Sequence, residues 1–189
     1  MNLFQKNAPN DFDAALSQLP IIDLGPYLNC DTDALDQVAG DIERACETTG
    51  FFYISNHGVA QTMIEATFAE SRRFHASPLD AKQALALDAN NLGYMAMNTS
   101  MQRHSTVHKA TKPNQNESFF VTHERGPDHP DVLVPRPFRG VNRWPIGMPG
   151  FREAVLDYFS ALNALGQRLL PAFSVALGMP ANFLDASFA

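Results

Sequence analysis

GFFYISNHG, Gly50 to Gly58, reads as a short strand closed by a turn. Phe51 to Ser55 is aromatic and β-branched, which suits a buried strand, and Asn56-His57-Gly58 supplies the turn residues that end it. Upstream, Leu35, Val38, Ile42, Ala45 and Cys46 recur at helical spacing. Thr32 and Asp33 offer an N-cap for that helix and Gly50 a close. Within the pattern Cys46 is expected to pack as a small apolar group. Farther upstream, LPIIDL (Leu19 to Leu24) is a brief apolar strand stopped by Gly25-Pro26. Residues 1–18 are polar and weakly patterned, a loose N-terminal arm.

Downstream, a second helix is expected with Met63, Ile64, Thr67, Phe68, Ser71 and Phe74 on one face. Ser77-Pro78 then reads as an N-cap and first helical residue, with Asp80 favouring the helix N-terminus. Two short strands are expected near Gly93 to Met97 and Glu117 to Thr122, with a mobile loop over residues 98–116 between them. Pro149-Gly150 opens the longest periodic segment, a helix over 149–178 with Phe151, Val155, Tyr158, Phe159, Leu162, Leu165, Leu169 and Phe173 as its apolar face. Pro171 should kink it, and Gly178-Met179-Pro180 should end it. Helices alternating with isolated short strands make the fold class α+β, without the dense strand spacing of a complete jelly roll.

A length of 189 residues with 45% hydrophobic content suffices for a real core. The net charge of -6 argues against nucleic acid or an anionic membrane as partner. No apolar run approaches the ~20 residues that span a bilayer. The N-terminus shows no basic region followed by an apolar core, and the two cysteines, Cys30 and Cys46, make no disulfide scaffold, so the location expected is cytoplasmic. The sequence holds no G-x-S-x-G elbow, no phosphate loop and no G-x-G-x-x-G fingerprint. His57 reads as a turn residue bonded to nearby backbone, and His75 as the end of a helix.

In order, LPIIDL, GFFYISNHG, Gly93-Tyr94, Glu117-Ser118-Phe119 and Asn142-Arg143-Trp144-Pro145, with GMPANF (Gly178 to Phe183) closing the long helix, resemble the N-terminal half of the isopenicillin N synthase-like family of non-haem Fe(II), 2-oxoglutarate-dependent oxygenases. The resemblance covers the chain from about Leu19 to Phe188. It implies that residues 19–189 are the helical and strand part of a distorted jelly roll (double-stranded β-helix). The barrel would be incomplete in this chain, and the catalytic barrel core is expected after Ala189.

The implied cofactors are Fe(II), held by an H-x-D pair and a distal histidine, and 2-oxoglutarate, anchored by an arginine, all beyond Ala189. The implied reaction consumes dioxygen and decarboxylates 2-oxoglutarate to succinate, with hydroxylation, desaturation or ring closure of a small-molecule substrate. The Gly93-Tyr94 and Glu117–Phe119 segments would face the substrate pocket. That makes Asn91, Tyr94, Met95, Arg103, Ser118 and Phe120 the expected substrate-binding residues, with no catalytic or metal-binding residue in this chain. The penicillin-forming member carries arginine and tyrosine where this chain has Asn91 and Met95. Asparagine lacks the bidentate grip of arginine on a carboxylate, and Met95 offers an adaptable apolar wall, so a different substrate is implied. The lysine often found before the glutamate is Asn116 here. Trp144 reads as a structural plug.

His129-Pro130-Asp131 matches the H-x-D half of a facial iron triad. No histidine follows His129 to complete the triad, and a proline-rich loop is a poor frame for ligand geometry, so no iron site is expected there. His104 and His108, with His123 and Glu124, are an alternative zinc set of a metal hydrolase. The other rival is a non-catalytic interaction module keeping a degenerate oxygenase half-fold, its long helix covered by a partner.

Overall fold

In a computed structural model of the chain, residues 19–101, 111–134 and 136–188 are described. The elements in chain order are β1 (Ile21–Asp23), α1 (Gly25–Leu28), α2 (Ala34–Thr48), β2 (Tyr53–Ser55), α3 (Gln61–His75), α4 (Leu79–Gln83), β3 (Gly93–Met95), β4 (Ser118–Phe120), α5 (Pro130–Leu133), α6 (Phe151–Ala176) and α7 (Asp185–Phe188). They fall into two compact units, Met1–Ala60 with Phe159–Ala189, and Gln61–Tyr158. This is a mixture of helices and short strands, as the α+β reading expects.

The first unit is built on one βαβ element. β1 and β2 run parallel in the register Ile21↔Tyr53, Ile22↔Ile54, Asp23↔Ser55, and α2 makes the crossover that a parallel pair requires. Ile22, Leu24, Val38, Ile42 and Ala45 are buried together with Leu165 and Ala172 of α6. Each large aliphatic so buried contributes about 1.5–3 kcal/mol. Tyr27 donates its hydroxyl to the Arg168 carbonyl at 2.5 Å, and the Arg168 guanidinium returns a bond to the Leu28 carbonyl at 2.7 Å. The Asp23 carboxylate accepts from the Gly25 N–H and the Asn56 amide, each at 2.8 Å, and these bonds, the backbone one foremost, hold it below the usual carboxylate range. At the end of α6, Gly178 takes φ +71, and the Met179 N–H reaches back to the Ser174 carbonyl at 2.9 Å, as the glycine stop anticipates.

The second unit centres on aromatic rings. Phe74, Tyr94 and Phe151 are buried, with Phe119 and Trp144 packed against them. Phe74 lies 4.6 Å from Phe119 and 5.5 Å from Phe151, in tilted contacts that favour the ring quadrupoles. The Thr67 hydroxyl donates to the Ala154 carbonyl at 3.1 Å and Arg73 to the Pro149 carbonyl at 2.8 Å, which fastens α3 to the start of α6.

Several local expectations are corrected. The Phe51–Ser55 strand is not buried: Phe51 is 72% and Tyr53 52% exposed, because among the described residues β2 pairs only with β1 and leaves one face uncovered. Cys46 is exposed rather than packed, since it sits in the last turns of α2 where nothing described covers it. Asp33 occupies the cap position of α2 with φ 60, a left-handed backbone in place of the extended one a capping residue takes, and its side chain makes no cap hydrogen bond. Ser77 donates to the Arg73 carbonyl at 3.2 Å, closing α3 instead of opening the next helix, and Pro78 takes the cap position of α4. Phe68 and Leu162, assigned to apolar faces, are exposed, and Phe74 is the buried residue of α3.

Candidate functional site

The β3–β4 ribbon is the frame of the site, and its entry is set by one glycine. Gly93 has φ +110, and a Cβ there would run into the Leu85 carbonyl oxygen, far inside van der Waals contact. Only glycine lets the strand run this close to the segment after α4, where Tyr94 N–H bonds the Leu85 carbonyl at 2.7 Å and Leu87 N–H bonds the Tyr94 carbonyl at 3.0 Å. The antiparallel register is Gly93↔Phe120, Tyr94↔Phe119, Met95↔Ser118. Side chains alternate across a strand, so Met95, Ser118 and Phe120 share one face while Tyr94 and Phe119 share the other.

The structure thus groups three of the expected substrate residues and separates a fourth. Met95, Ser118 and Phe120 are half-buried on the common face, whereas Tyr94 is buried on the aromatic core side, 6.0 Å from Phe74. Asn91 is exposed on the turn ahead of β3, with φ 60 and its N–H on the Asp88 carbonyl at 3.1 Å. The Asp88 carboxylate shapes that turn by accepting from the Asn90 and Leu92 amides at 2.8 and 2.9 Å. Arg103, His104 and His108 lie outside the described residues. The described ends of the expected loop are joined, Asn98 N–H to the Asn114 carbonyl at 3.0 Å and Asn114 N–H to the Ser100 carbonyl at 2.8 Å.

Behind the ribbon four elements converge on Glu117. Lys82, a buried lysine of α4, donates to Glu117 Oε2 at 2.9 Å and to the His75 carbonyl at 2.9 Å. Tyr94 donates its hydroxyl to the same Oε2. His75 Nδ1 lies 3.2 Å from Oε1, an ion pair if the ring is protonated, but off the line of a hydrogen bond and buried without another partner. The Tyr94 and then the Lys82 bonds pull the Glu117 carboxyl down to about 2, so it is ionised. Burial, and then the bond to Glu117, pushes the Tyr94 hydroxyl up, and the Glu117 bond raises Lys82. His75, Glu117, Ser118, Phe119, Thr67 and Ser71 line a cavity of about 370 Å³. Sequence reasoning missed Lys82; its only mark is a lysine flanked by Ala81, Ala84 and Leu85 in a short helix.

The H-x-D residues are occupied by structural work. His129 Nδ1 accepts from the Asp131 N–H at 3.1 Å as the cap of α5, and the two Asp131 oxygens take Arg139 at 2.8 Å and Arg125 at 3.4 Å. A carboxylate held by two arginines and a ring turned to its own backbone do not fit iron ligation. Among the described residues no three His, Cys, Asp or Glu side chains are placed to hold a metal ion. His57 Nδ1 accepts from the Val59 N–H at 3.1 Å, as expected for a turn residue. Glu124 accepts from Asn142 at 2.7 Å and Arg152 at 2.9 Å, and from the Trp144 indole at 3.4 Å; burial raises its carboxyl, but these bonds outweigh it and leave it lowered.

The model of the family described as non-haem dioxygenase in morphine synthesis, N-terminal, matches residues 19–146. A 2-oxoglutarate-Fe(II) type oxidoreductase of Emericella nidulans is 29% identical over 171 residues, 88% of this chain and 48% of its own length. Isopenicillin N synthase of Streptomyces clavuligerus is 32% identical over 177 residues, 92% of this chain and 51% of its own. The crystal structure of a full-length Neurospora crassa protein in complex with alpha-KG is similar with a TM-score of 0.69 and 25% identity, over 88% of this chain and 49% of that one. The chain therefore spans about half the length of the relatives it matches. No described helix is long and apolar enough to cross a membrane.

Proposed function

Since the chain belongs to the non-haem dioxygenase N-terminal family, we propose that it forms the N-terminal part of an Fe(II)- and 2-oxoglutarate-dependent oxidoreductase acting on a small molecule. The observation that supports this is the match to relatives named for that chemistry, which runs over most of this chain and half of theirs. In this reading residues 19–189 are the scaffold and one wall of the substrate pocket, with Asn91, Met95, Arg103, Ser118 and Phe120 assigned to the substrate and Tyr94, buried on the opposite face of the ribbon, supporting that wall from behind. The reading assigns the iron ligands and the 2-oxoglutarate anchor to a barrel outside these residues; the engagement of His129 in a helix cap and of Asp131 with arginine supports it. The outcome is hydroxylation, desaturation or ring closure in the cytoplasm, with dioxygen as co-substrate. The Asn91 and Met95 side chains offer no charged grip, which points away from the penicillin-forming substrate.

The test is the intact mass of the protein as its host makes it, followed by an assay of succinate release from 2-oxoglutarate with Fe(II). A mass well above 20.8 kDa with Fe(II)-dependent succinate supports the proposal. A mass equal to this chain, with no succinate formed, sinks it.

A further inference from the structure

The second unit holds a cavity of about 570 Å³ that the oxygenase reading does not use. That volume suits a small organic ligand. Its walls are apolar, with Phe74, Pro78, Leu85, Trp144, Pro145 and Met148 among them, and two cations border it, Lys82 and Arg143. The two differ. Lys82 is neutralised by Glu117 at 2.9 Å. Arg143 donates to the Ala86 carbonyl at 2.5 Å and the Ala84 carbonyl at 2.7 Å, and has no carboxylate within ion-pair distance among the described residues. Arg73, Arg125, Arg139 and Arg152 of the same unit each meet a carboxylate, and of the arginines there that do not, Arg72, Arg136 and Arg143 among the described residues, Arg143 is the one that lines the cavity.

The two carbonyl bonds explain why Arg143 sits where it does: it closes the chain after α4. A guanidinium carries five N–H donors in a planar fork shaped for a carboxylate, and here two have acceptors among the described residues. Arg143 is half-buried at the edge of the cavity, so its remaining N–H donors can take an anion seated there without the anion leaving solvent entirely. The apolar walls in turn reject a bare inorganic anion and favour one with a hydrophobic body. We propose that this cavity binds a small apolar carboxylate, its carboxylate on Arg143 and its body against Leu85, Trp144 and Met148. The site stands independently of the oxygenase reading, since its residues lie in this chain and its binding requires no turnover.

Trp144 is the only tryptophan of the chain, so its fluorescence reports the site directly. Phenylacetate titrated into the protein should change that fluorescence saturably at about 0.1–1 mM. Phenylacetamide, of the same shape without the charge, should bind about tenfold more weakly, and acetate, lacking the ring, should produce no change at these concentrations. Ala81→Phe, which sends a ring into the cavity from an exposed position of α4, should abolish the response while the far-ultraviolet circular dichroism stays unchanged. Arg143→Lys should weaken phenylacetate alone. No saturable response to phenylacetate, equal affinity for phenylacetamide, or undiminished binding to a folded Ala81→Phe protein would each overturn the proposal. The comparison of phenylacetate with phenylacetamide uses the unaltered protein, so it stands even if the arginine variant folds poorly.

Discussion

Lys82 and Glu117, 35 residues apart in sequence, meet through an N–H···O bond of 2.9 Å in which the lysine is almost wholly buried and the carboxylate also takes the Tyr94 hydroxyl. The pair joins α4 to the start of β4, and through Tyr94 and the His75 carbonyl it adds β3 and the end of α3. Replacing Lys82 by methionine keeps the stem and removes the charge, leaving Glu117 with an uncompensated negative charge. Such a break in a partly buried pair costs about 2–3 kcal/mol. Lys82→Met should therefore lower stability by that amount in urea, whereas Lys82→Met combined with Glu117→Gln should recover part of the loss. Equal stability of the single variant and the parent protein would show that the pair contributes nothing.

The same carboxylate sets an acid limit. Glu117 is held at about 2 against an ordinary value of 4.5, first by Tyr94 and then by Lys82. A lowered folded-state value stabilises the fold fully above the unfolded value, and the contribution disappears as pH falls through the folded one. Stability should thus decline from about pH 4.5 towards pH 2, and Glu117→Gln should flatten the decline in that window. Acid unfolding midpoints of the two proteins measure it; identical curves count against Glu117 as the source.

Gly93 offers a test of the ribbon. A methyl group there runs into the Leu85 carbonyl, on a backbone at φ +110 that L-residues avoid, so the clash and the strain add. Gly93→Ala should cost more than about 2 kcal/mol, while alanine at Gly166, with open space around it on α6, should be neutral or stabilising by a few tenths. A tolerated Gly93→Ala would mean that β3 does not run against the Leu85 segment in solution.

Much of this arrangement was legible in the sequence because periodicity and punctuation report local structure. The positions of β1 to β4, the three long helices and the Gly178 stop follow from alternation, 3.6-residue spacing and glycine alone. Burial was harder, because it depends on what another segment covers. Phe51 and Tyr53 have the composition of a core strand yet lie at a two-stranded pair open among the described residues, and Cys46 falls on the apolar side of α2 where no described segment covers it. The Asp33 cap failed because its backbone is left-handed, which residue type does not reveal. Lys82 was illegible because its value rests on Glu117, a long-range pairing that no local window contains. The H-x-D match shows the reverse case: a three-residue motif was present, and in the structure His129 caps α5 while Asp131 pairs with two arginines from outside any local window.

Iron gives the last test, because it separates this chain from the chemistry of its relatives. His129 spends Nδ1 on the Asp131 amide, and Asp131 spends both oxygens on Arg125 and Arg139, so binding Fe(II) there would first break a cap and two ion pairs. A ligand raises the melting temperature only if it binds the folded state in preference to the unfolded one. Roughly micromolar Fe(II), supplied anaerobically to these 189 residues, should therefore leave the melting temperature unchanged. His129→Ala should lower it by a few degrees at most, the effect of losing an exposed cap, with or without metal. A rise with Fe(II) that disappears in His129→Ala would place a metal site in this chain after all, and the Arg125 and Arg139 pairs would then have to be read as a closed state that the metal opens.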